Sequence, residues 1–312
     1  MFFLSGGEQH PLISYKKKQP VISANPSHTA FRTALQRAAH QLLDAPIVFE
    51  DPLALPILGP EQESALRADP HQFERSKLAP YLRALLAVRS RVAEETLAQC
   101  MAAGVRQYVI LGAGLDTFAY RNSYPLSALR VFEVDHPATQ AWKREQLEQA
   151  GIPLPGNLTF VPVDFEQQDL SQELLRAGLV PEAGTFFSCL GVMPYLQPEA
   201  ARVTLRAIAG LSGRIGGIVF DYAIPGSALG LMQRVIFKLM AARVKAAGEP
   251  WLTFFYPSAL AQELSGMGFR HIEDMTGDLL NQRYFADRAD GLRVGSLYHV
   301  MKALISPLGD AT

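Results

Sequence analysis

The sequence Leu-Gly-Ala-Gly-Leu-Asp-Thr at residues 111–117 is the stretch that decides the fold. It follows directly on residues 107–111, a short apolar segment rich in β-forming side chains. Glycines at such a position let the backbone turn tightly and approach a ligand closely. A glycine-rich turn after a buried strand is also compatible with simple chain packing, so the neighbouring segments have to decide between the two interpretations.

Strand-like and helical segments alternate after this turn. Strands are predicted at residues 130–134, 158–163, 184–190 and 215–220, and helices at 137–150 and 198–211. This alternation indicates parallel βαβ units and an α/β fold. The rhythm changes near the end, where a helix at 258–267 precedes strand candidates at 269–273 and 294–303. These two candidates fit a closing, hairpin-like pair.

The first hundred residues are predicted to be mainly helical. Apolar residues recur at helical spacing over residues 28–43 and again over residues 80–103. We therefore interpret residues 1–104 as an N-terminal arm followed by a helical cap. Residues 105–312 are interpreted as the sheet domain that carries the cofactor site.

An acidic residue ends the strand that follows the turn. Asp135 lies 21 positions beyond Gly114, and a carboxylate at this spacing is placed to accept hydrogen bonds from ribose hydroxyls. Glu133 alternates with Asp135 along the strand, so both side chains can face one side, but Asp135 is nearer the crevice. The alternative is that Asp135 only caps the helix that begins at Pro137.

The next predicted strand ends with a similar pair, Asp164 and Phe165. Beside the same crevice, Asp164 would accept from an adenine amino group and Phe165 would lie against the ring. The alternative is a helix cap and a core phenylalanine. Together with Asp135, the pair indicates a cofactor that contains a nucleoside.

Two common cofactors bring adenosine to such a crevice, NAD and S-adenosylmethionine. The full Gly-x-Gly-x-x-Gly fingerprint of dinucleotide sites needs a third glycine where Thr117 stands. Its absence leaves Asp116 and Thr117 to line the turn and weakens the pyrophosphate interpretation. We expect S-adenosylmethionine. An NAD-linked oxidoreductase and a catalytically silent cofactor-binding protein are the alternatives.

The composition argues against several classes of partner. Lys and Arg number 29 and Asp and Glu number 30, for a formal charge of -1, so no basic field attracts nucleic acid or an anionic membrane. The opening Met-Phe-Phe-Leu lacks the basic region of a secretion signal. No histidine, cysteine or acid has metal-ligand spacing, so no metal is expected. We expect a cytoplasmic protein with a small-molecule partner.

The motifs of this chain resemble those of the leucine carboxyl methyltransferase family, in particular its bacterial branch of S-adenosylmethionine-dependent enzymes. The resemblance rests on residues 111–117 and 132–137 and continues through residues 37–41, 49–54, 88–91 and 190–196. It spans most of the chain, and the combination of motifs is specific. The resemblance implies a Rossmann-like class I methyltransferase fold with seven strands, mostly parallel, and an antiparallel last strand.

The same resemblance implies a partner for each part of the cofactor. These partners are Asp135 for the ribose, Asp164 and Phe165 for the adenine region, Gly112 for the methionine side, and Arg89 or Arg91 for the methionine carboxylate. Gly114 and Asp116 of the same turn are also expected to bind the cofactor. The choice between the two arginines is open, and both can instead pair with acids on a solvated helix face.

One departure from the family pattern concerns the methyl acceptor. Some members, including the enzymes that methylate protein phosphatases, carry an acid directly before the glycine that matches Gly191, where this chain has Leu190. A phosphatase tail is therefore in doubt as the substrate. The resemblance implies O-methylation of a carboxyl or hydroxyl group on a small-molecule or peptide acceptor. Because a carboxylate needs no general base, carboxyl methylation is favoured.

The segment 226–256 is too long for a simple connection. Within it, one apolar stripe recurs at helical spacing, consisting of Met232, Val235, Ile236, Leu239, Met240 and Val244. The alternatives are a lid helix, a helix that only covers the sheet, and a helix on a membrane surface. We predict a lid over a partly apolar acceptor. Tyr195, after the fourth strand, and Tyr256, after the stripe, are the candidates for the acceptor pocket.

Overall fold

Seven strands form one sheet in the residues that the computed structural model describes, 28–72, 78–246 and 250–307. They are β1 (Gln107–Leu111), β2 (Arg130–Asp135), β3 (Leu158–Pro162), β4 (Thr185–Cys189), β5 (Gly217–Ala223), β6 (His271–Met275) and β7 (Tyr298–Leu304). Their order across the sheet is β3-β2-β1-β4-β5-β7-β6. The chain thus changes direction across the sheet between β1 and β4, where open α/β sheets bind ligands.

Six strands run parallel, and β7 runs antiparallel between β5 and β6. The predicted Rossmann-like sheet, mostly parallel with an antiparallel last strand, is confirmed. Because β1 to β4 are parallel, their carboxyl ends meet at one edge of the sheet. The polar residues that follow these strands are thereby brought together.

Helices cover both faces of the sheet. Those in the described residues are α1 (His28–Leu43), α2 (Pro60–Ala68), α3 (Ala79–Ala102), α4 (Phe118–Arg121), α5 (Pro137–Gln149), α6 (Leu170–Arg176), α7 (Pro198–Leu211), α8 (Leu231–Ala246), α9 (Pro257–Gly266) and α10 (Gly277–Tyr284). The five helices predicted with bounds correspond to α1, α3, α5, α7 and α9. Residues 1–27, which include the predicted N-terminal arm, lie outside the described residues.

Neighbouring residues on β1 point to opposite faces of the sheet and join two hydrophobic clusters. Val109 and Leu111 pack in the cluster that contains residues of α7 and α9. Tyr108 and Ile110 pack in the cluster that contains residues of α3 and α10. Since helices cover both faces, β1 is buried along its whole length. This explains why it appears in the sequence as a continuous apolar run rather than an alternating one.

The last two strands begin later than the sequence predicts. The strand predicted at 269–273 is β6, which starts at residue 271 because Gly268, with a φ of 109°, first turns the chain out of α9. The strand predicted at 294–303 is β7, which starts at residue 298. Before it, the backbone N–H of Val294 donates to Asn281 over 2.8 Å, and its carbonyl accepts from the same amide. The side chain of Asn281 therefore pairs with the backbone of Val294, in place of a neighbouring strand.

Buried polar contacts hold the first helix against the turn that follows β1. Arg37 of α1 forms an ion pair with Asp51. Arg37 also donates to the hydroxyl of Thr117 over 3.0 Å and to the carbonyl of Leu115 over 3.3 Å. The Thr117 hydroxyl in turn donates to Asp51 over 2.7 Å. Burial alone would raise the pKa of Asp51, but Arg37 and Arg121 hold it below its usual value.

Asp51 is predicted to be a large contributor to stability. In Asp51→Ala, Arg37 loses its buried partner, and an uncompensated buried charge costs about 3–5 kcal/mol. Urea unfolding at neutral pH should show a loss of this size. The matched control is Glu63→Ala, which removes a solvent-accessible pair with Arg67 and should cost less than about 1 kcal/mol. Equal losses in the two variants would contradict the proposed role of Asp51.

Candidate functional site

A cavity of about 710 Å³ opens at the edge of the sheet where β1 to β4 end. Residues at or directly after these strand ends line it, namely 112–116, Asp135 and His136, 163–166 and 190–192. Its other walls come from α1, from Arg89 and Ser90 of α3, and from residues 195–197, Pro250 and Leu252. The cavity therefore lies at the switch point of the sheet.

The turn after β1 needs glycine at two positions. Gly112 and Gly114 have φ angles of 64° and 44°, in the left-handed region that glycine tolerates. A Cβ on Gly112 would lie 2.2 Å from Cγ2 of Val192, and one on Gly114 would lie 3.1 Å from Cβ of Ala30. Both glycines line the cavity, so the turn serves packing and leaves its backbone next to the space where a ligand can lie.

Asp135 is fixed at the end of β2 by two backbone groups. Its Oδ2 accepts from the N–H of Gly114 over 2.6 Å, and its Oδ1 accepts from the N–H of His136 over 2.7 Å. Burial raises the pKa of this carboxyl, although both backbone hydrogen bonds favour its charged form. Each carboxylate oxygen has a second lone pair. The fixed carboxylate therefore fits two neighbouring hydroxyl donors, such as those of a ribose.

The helix that follows β2 is capped by a different residue. His136 is the N-cap of α5, and its Nδ1 accepts from the N–H of Ala138 over 3.3 Å. The alternative that Asp135 only caps this helix is therefore wrong. Glu133 is also set apart from the cavity, since its Oε2 lies 2.6 Å from Nζ of Lys143 and both side chains are buried. Burial raises the pKa of Glu133 to about 7, although Lys143 opposes the shift.

Asp164 and Phe165 both line the cavity beyond β3. Phe165 also packs against the core, as the alternative predicted, but Asp164 does not cap a helix, because the N-cap of α6 is Asp169. The carboxylate of Asp164 accepts from the N–H of Glu166 over 2.9 Å and from the side chain of Gln167 over 2.7 Å. These contacts hold both side chains in place at the cavity wall.

Asp116 lines the cavity from the turn after β1. Its Oδ1 accepts from the N–H of Phe118 over 2.8 Å. This bond holds the start of α4 and fixes the side chain beside the turn. Asp116 therefore lies in the turn as expected, and it also stabilises the start of α4.

The structure separates the two candidate arginines. Arg89 is 7% exposed, lines the cavity, and its Nη1 lies 2.8 Å from Oδ2 of Asp221 on β5. Arg91 does not line the cavity. Its Nε lies 2.7 Å from Oε1 of Glu95, and its Nη1 donates to the carbonyl of Val48. The alternative for both arginines was an ion pair on a solvated helix face, and Arg91 forms such a pair with Glu95. Arg89 is the arginine that a ligand in the cavity can reach.

The two tyrosine candidates also separate. Tyr195 lines the cavity, next to Leu196. Tyr256 does not line it. Its side chain is 53% exposed, and its hydroxyl lies 2.7 Å from Oγ of Ser227. The structure therefore does not bring Tyr256 to the cavity together with Tyr195, and Tyr256 lies on the surface as the N-cap of α9.

Sequence reasoning missed two residues of this site. Asp221 is completely buried in β5 and carries the contact to Arg89. The signal for it was an acid inside the otherwise apolar strand Gly217–Ala223, because a buried acid needs a partner. Arg37 also lines the cavity, and nothing in its helical pattern distinguishes it from a surface arginine.

The described residues contain no group of three or more His, Cys, Asp or Glu side chains that could hold a metal ion. None of the described helices is both long and apolar enough to cross a membrane.

The fold and the site define a Rossmann-like α/β protein with a glycine-rich turn at a cavity, at the switch point of the sheet. Residues 30–209 match the profile of the family Leucine carboxyl methyltransferase. The chain belongs to the leucine carboxyl methyltransferase family.

Two relatives and one solved structure are similar to this chain. The chain is 31% identical to "Putative S-adenosyl-L-methionine-dependent methyltransferase YktD" of Bacillus subtilis (strain 168), over 89% of this chain and 97% of that protein. It is 33% identical to a similarly named protein of Saccharopolyspora erythraea, over 64% of this chain and 69% of that one. The crystal structure of a "putative methyltransferase" from Thermobifida fusca has a TM-score of 0.53 at 14% identity, covers 93% of this chain and 99% of its own, and supports the fold alone.

Proposed function

We propose that this protein is an S-adenosylmethionine-dependent O-methyltransferase whose acceptor is a small, partly apolar molecule or peptide with a carboxyl or hydroxyl group. The observation that carries the proposal is one cavity with three features, lined together by the glycine turn, by Asp135 at the end of β2 and by the buried Arg89. Asp135 matches the ribose of the cofactor, and the glycine turn and Arg89 match its methionine part. Membership of the family supplies the reaction class.

Each part of the cofactor has a matching group on the cavity wall. Asp135 would accept from the ribose hydroxyls, and Asp164 with Phe165 would contact the adenine. Gly112 and its turn would lie along the methionine side. Arg89 would bind the methionine carboxylate, because a guanidinium presents paired N–H donors that suit a carboxylate.

S-adenosylmethionine supplies a methyl group on a sulfonium, which is transferred to an acceptor oxygen by in-line displacement. The protein has to align that oxygen with the methyl carbon and exclude water, and such alignment lowers the barrier by several kcal/mol. The cavity wall near Tyr195 is mostly apolar, with Val192, Leu196 and Leu252. This wall suits the positioning of a partly apolar acceptor.

Carboxyl methylation is the preferred form of the reaction. A carboxylate is ionised at neutral pH and attacks without losing a proton, whereas a hydroxyl would need a general base. His136 lines the cavity, but its Nδ1 is engaged as the cap of α5. A carboxylate acceptor therefore fits the described residues better, because it needs no general base among them.

The turn argues against the alternative of an NAD-linked oxidoreductase. Thr117, which stands in place of the third glycine, is fully buried and holds Asp51 and Arg37. The helix after the turn, α4, has only four residues. A pyrophosphate is normally held by the N-terminus of a longer helix at this position.

The segment 226–256 is proposed as a lid over the acceptor. Phe237 of α8 packs against Trp251 and Phe254, and Pro250 and Leu252 line the cavity. On the predicted stripe, Val235 and Leu239 are 59% and 61% exposed, so these two residues do not pack on the sheet. A helix that only covered the core would bury these side chains. Their exposure therefore favours a lid, or a surface that contacts the acceptor.

Methyl transfer itself is tested with cofactor that carries a labelled methyl group. The protein is incubated with this cofactor and fractions of a cell extract, and the labelled product is identified. We expect label in a small molecule or peptide, released as methanol by mild alkali because a methyl ester hydrolyses and a methyl ether does not. Stable label would indicate a hydroxyl acceptor. Absence of transfer, together with thermal stabilisation by NAD but not by S-adenosylhomocysteine, would contradict the proposal.

Asp135→Ala is predicted to weaken S-adenosylhomocysteine binding by about 1.5–3 kcal/mol, because a charged acceptor of two ribose hydroxyls is lost. This corresponds to a dissociation constant raised roughly tenfold or more, measured by calorimetry. The control is Asp169→Ala, which removes the exposed N-cap of α6 and should leave the affinity unchanged. Unchanged affinity in Asp135→Ala would refute the assignment.

The lid is tested by replacing residues 230–248 with a short flexible linker. S-adenosylhomocysteine affinity should stay within a few-fold of the wild-type value, since the cofactor contacts proposed above lie elsewhere, while methyl transfer should be abolished. Full turnover on the native acceptor would eliminate the lid. Loss of cofactor affinity as well would favour a helix that stabilises the sheet.

A further inference from the structure

Asp221 is a completely buried acid that contacts two parts of the cavity wall. Its Oδ2 lies 2.8 Å from Nη1 of Arg89, and its Oδ1 accepts from the backbone N–H of Gly191 over 2.5 Å. Asp221 lies on β5, Arg89 on α3 and Gly191 after β4. One carboxylate thus links three elements next to the cavity, and Asp221 itself is not among the residues that line it.

Gly191 holds the same guanidinium from a second side. Its φ angle is 75°, and a Cβ there would lie 2.9 Å from Nη2 and 3.0 Å from Nη1 of Arg89. The guanidinium therefore packs directly on the Gly191 backbone. With Asp221 bonded to Nη1, the arginine is fixed by an ion pair and by close packing.

We propose that Asp221 is a positioning residue for cofactor binding, which acts by holding Arg89 ready for the methionine carboxylate. This inference rests on the proposed function. An unpaired arginine in a buried site would be costly, and a mobile one would lose side-chain entropy when a ligand fixes it. Asp221 reduces both costs before the cofactor arrives. Among the described residues, Asp221 is the only acid that forms an ion pair with Arg89.

The alternative is that Asp221 serves only the fold, as a link between α3, β4 and β5. The two roles predict different effects on two ligands. S-adenosylhomocysteine carries the amino-acid part that Arg89 would bind, whereas 5′-methylthioadenosine carries the same adenosine and lacks that part. A positioning role affects the first ligand selectively, and a general structural role affects both.

The test variant is Asp221→Asn, which keeps the shape of the side chain and an oxygen that can accept from Gly191. Calorimetry should show S-adenosylhomocysteine binding weakened by about tenfold to a hundredfold, the fold-change that corresponds to the loss of one hydrogen bond to a charged group. Affinity for 5′-methylthioadenosine should stay within about threefold, because the adenosine contacts are untouched. In the Arg89→Gln background, adding Asp221→Asn should leave the ratio of the two affinities unchanged.

The matched control is Asp274→Asn, another acid of the sheet, which lies away from the cavity and contacts His299 and Tyr222. It should change neither affinity. If Asp221→Asn fails to fold, Gly191→Ala tests the same arginine from its other side and should give the same selective loss. Equal losses for both ligands, or no loss for either, would overturn the role of Asp221. Wild-type protein that binds neither ligand would instead overturn the proposed function.

Discussion

The hydrogen bond from the backbone N–H of Gly114 to the carboxylate of Asp135 joins the turn after β1 to the end of β2. The rest of the site depends on it, because it sets the distance between the glycine backbone and the acid that we propose as the ribose partner. The same turn continues into Thr117, whose hydroxyl binds Asp51 and through it Arg37 of α1. The sheet edge, the turn and the first helix are therefore held together by these contacts.

A buried charge without a partner is costly. At the cavity, two buried arginines each form an ion pair that offsets this cost. Arg37 pairs with Asp51 on one side and Arg89 pairs with Asp221 on the other. In both pairs the arginine lines the cavity, whereas neither acid does. The arrangement leaves cationic donors at the wall while their acids remain in the protein, which suits a ligand with a carboxylate.

Much of the sheet could be predicted from the sequence, because alternating segments leave few topologies and the spacing of Asp135 from Gly114 is local to one βαβ unit. The acid inside β5 was a signal for Asp221, but its partner Arg89 could not be predicted, since it lies 132 positions away. The choice between Arg89 and Arg91 depended on which side of α3 faces the cavity. The exposed position of Tyr256 depended on the start of α9 directly after it. The late start of β7 depended on Asn281 replacing strand hydrogen bonds, a contact that no periodicity reveals.

The most direct measurement is a crystal structure of the protein with S-adenosylhomocysteine. The account predicts both ribose hydroxyls within hydrogen-bond distance of the Asp135 carboxylate, at about 2.5–3.2 Å. It also predicts the methionine carboxylate on the guanidinium of Arg89, with the contact between Arg89 and Asp221 intact. A ligand whose ribose lies away from Asp135, or whose carboxylate is bound by other residues while Arg89 contacts only Asp221, would contradict it.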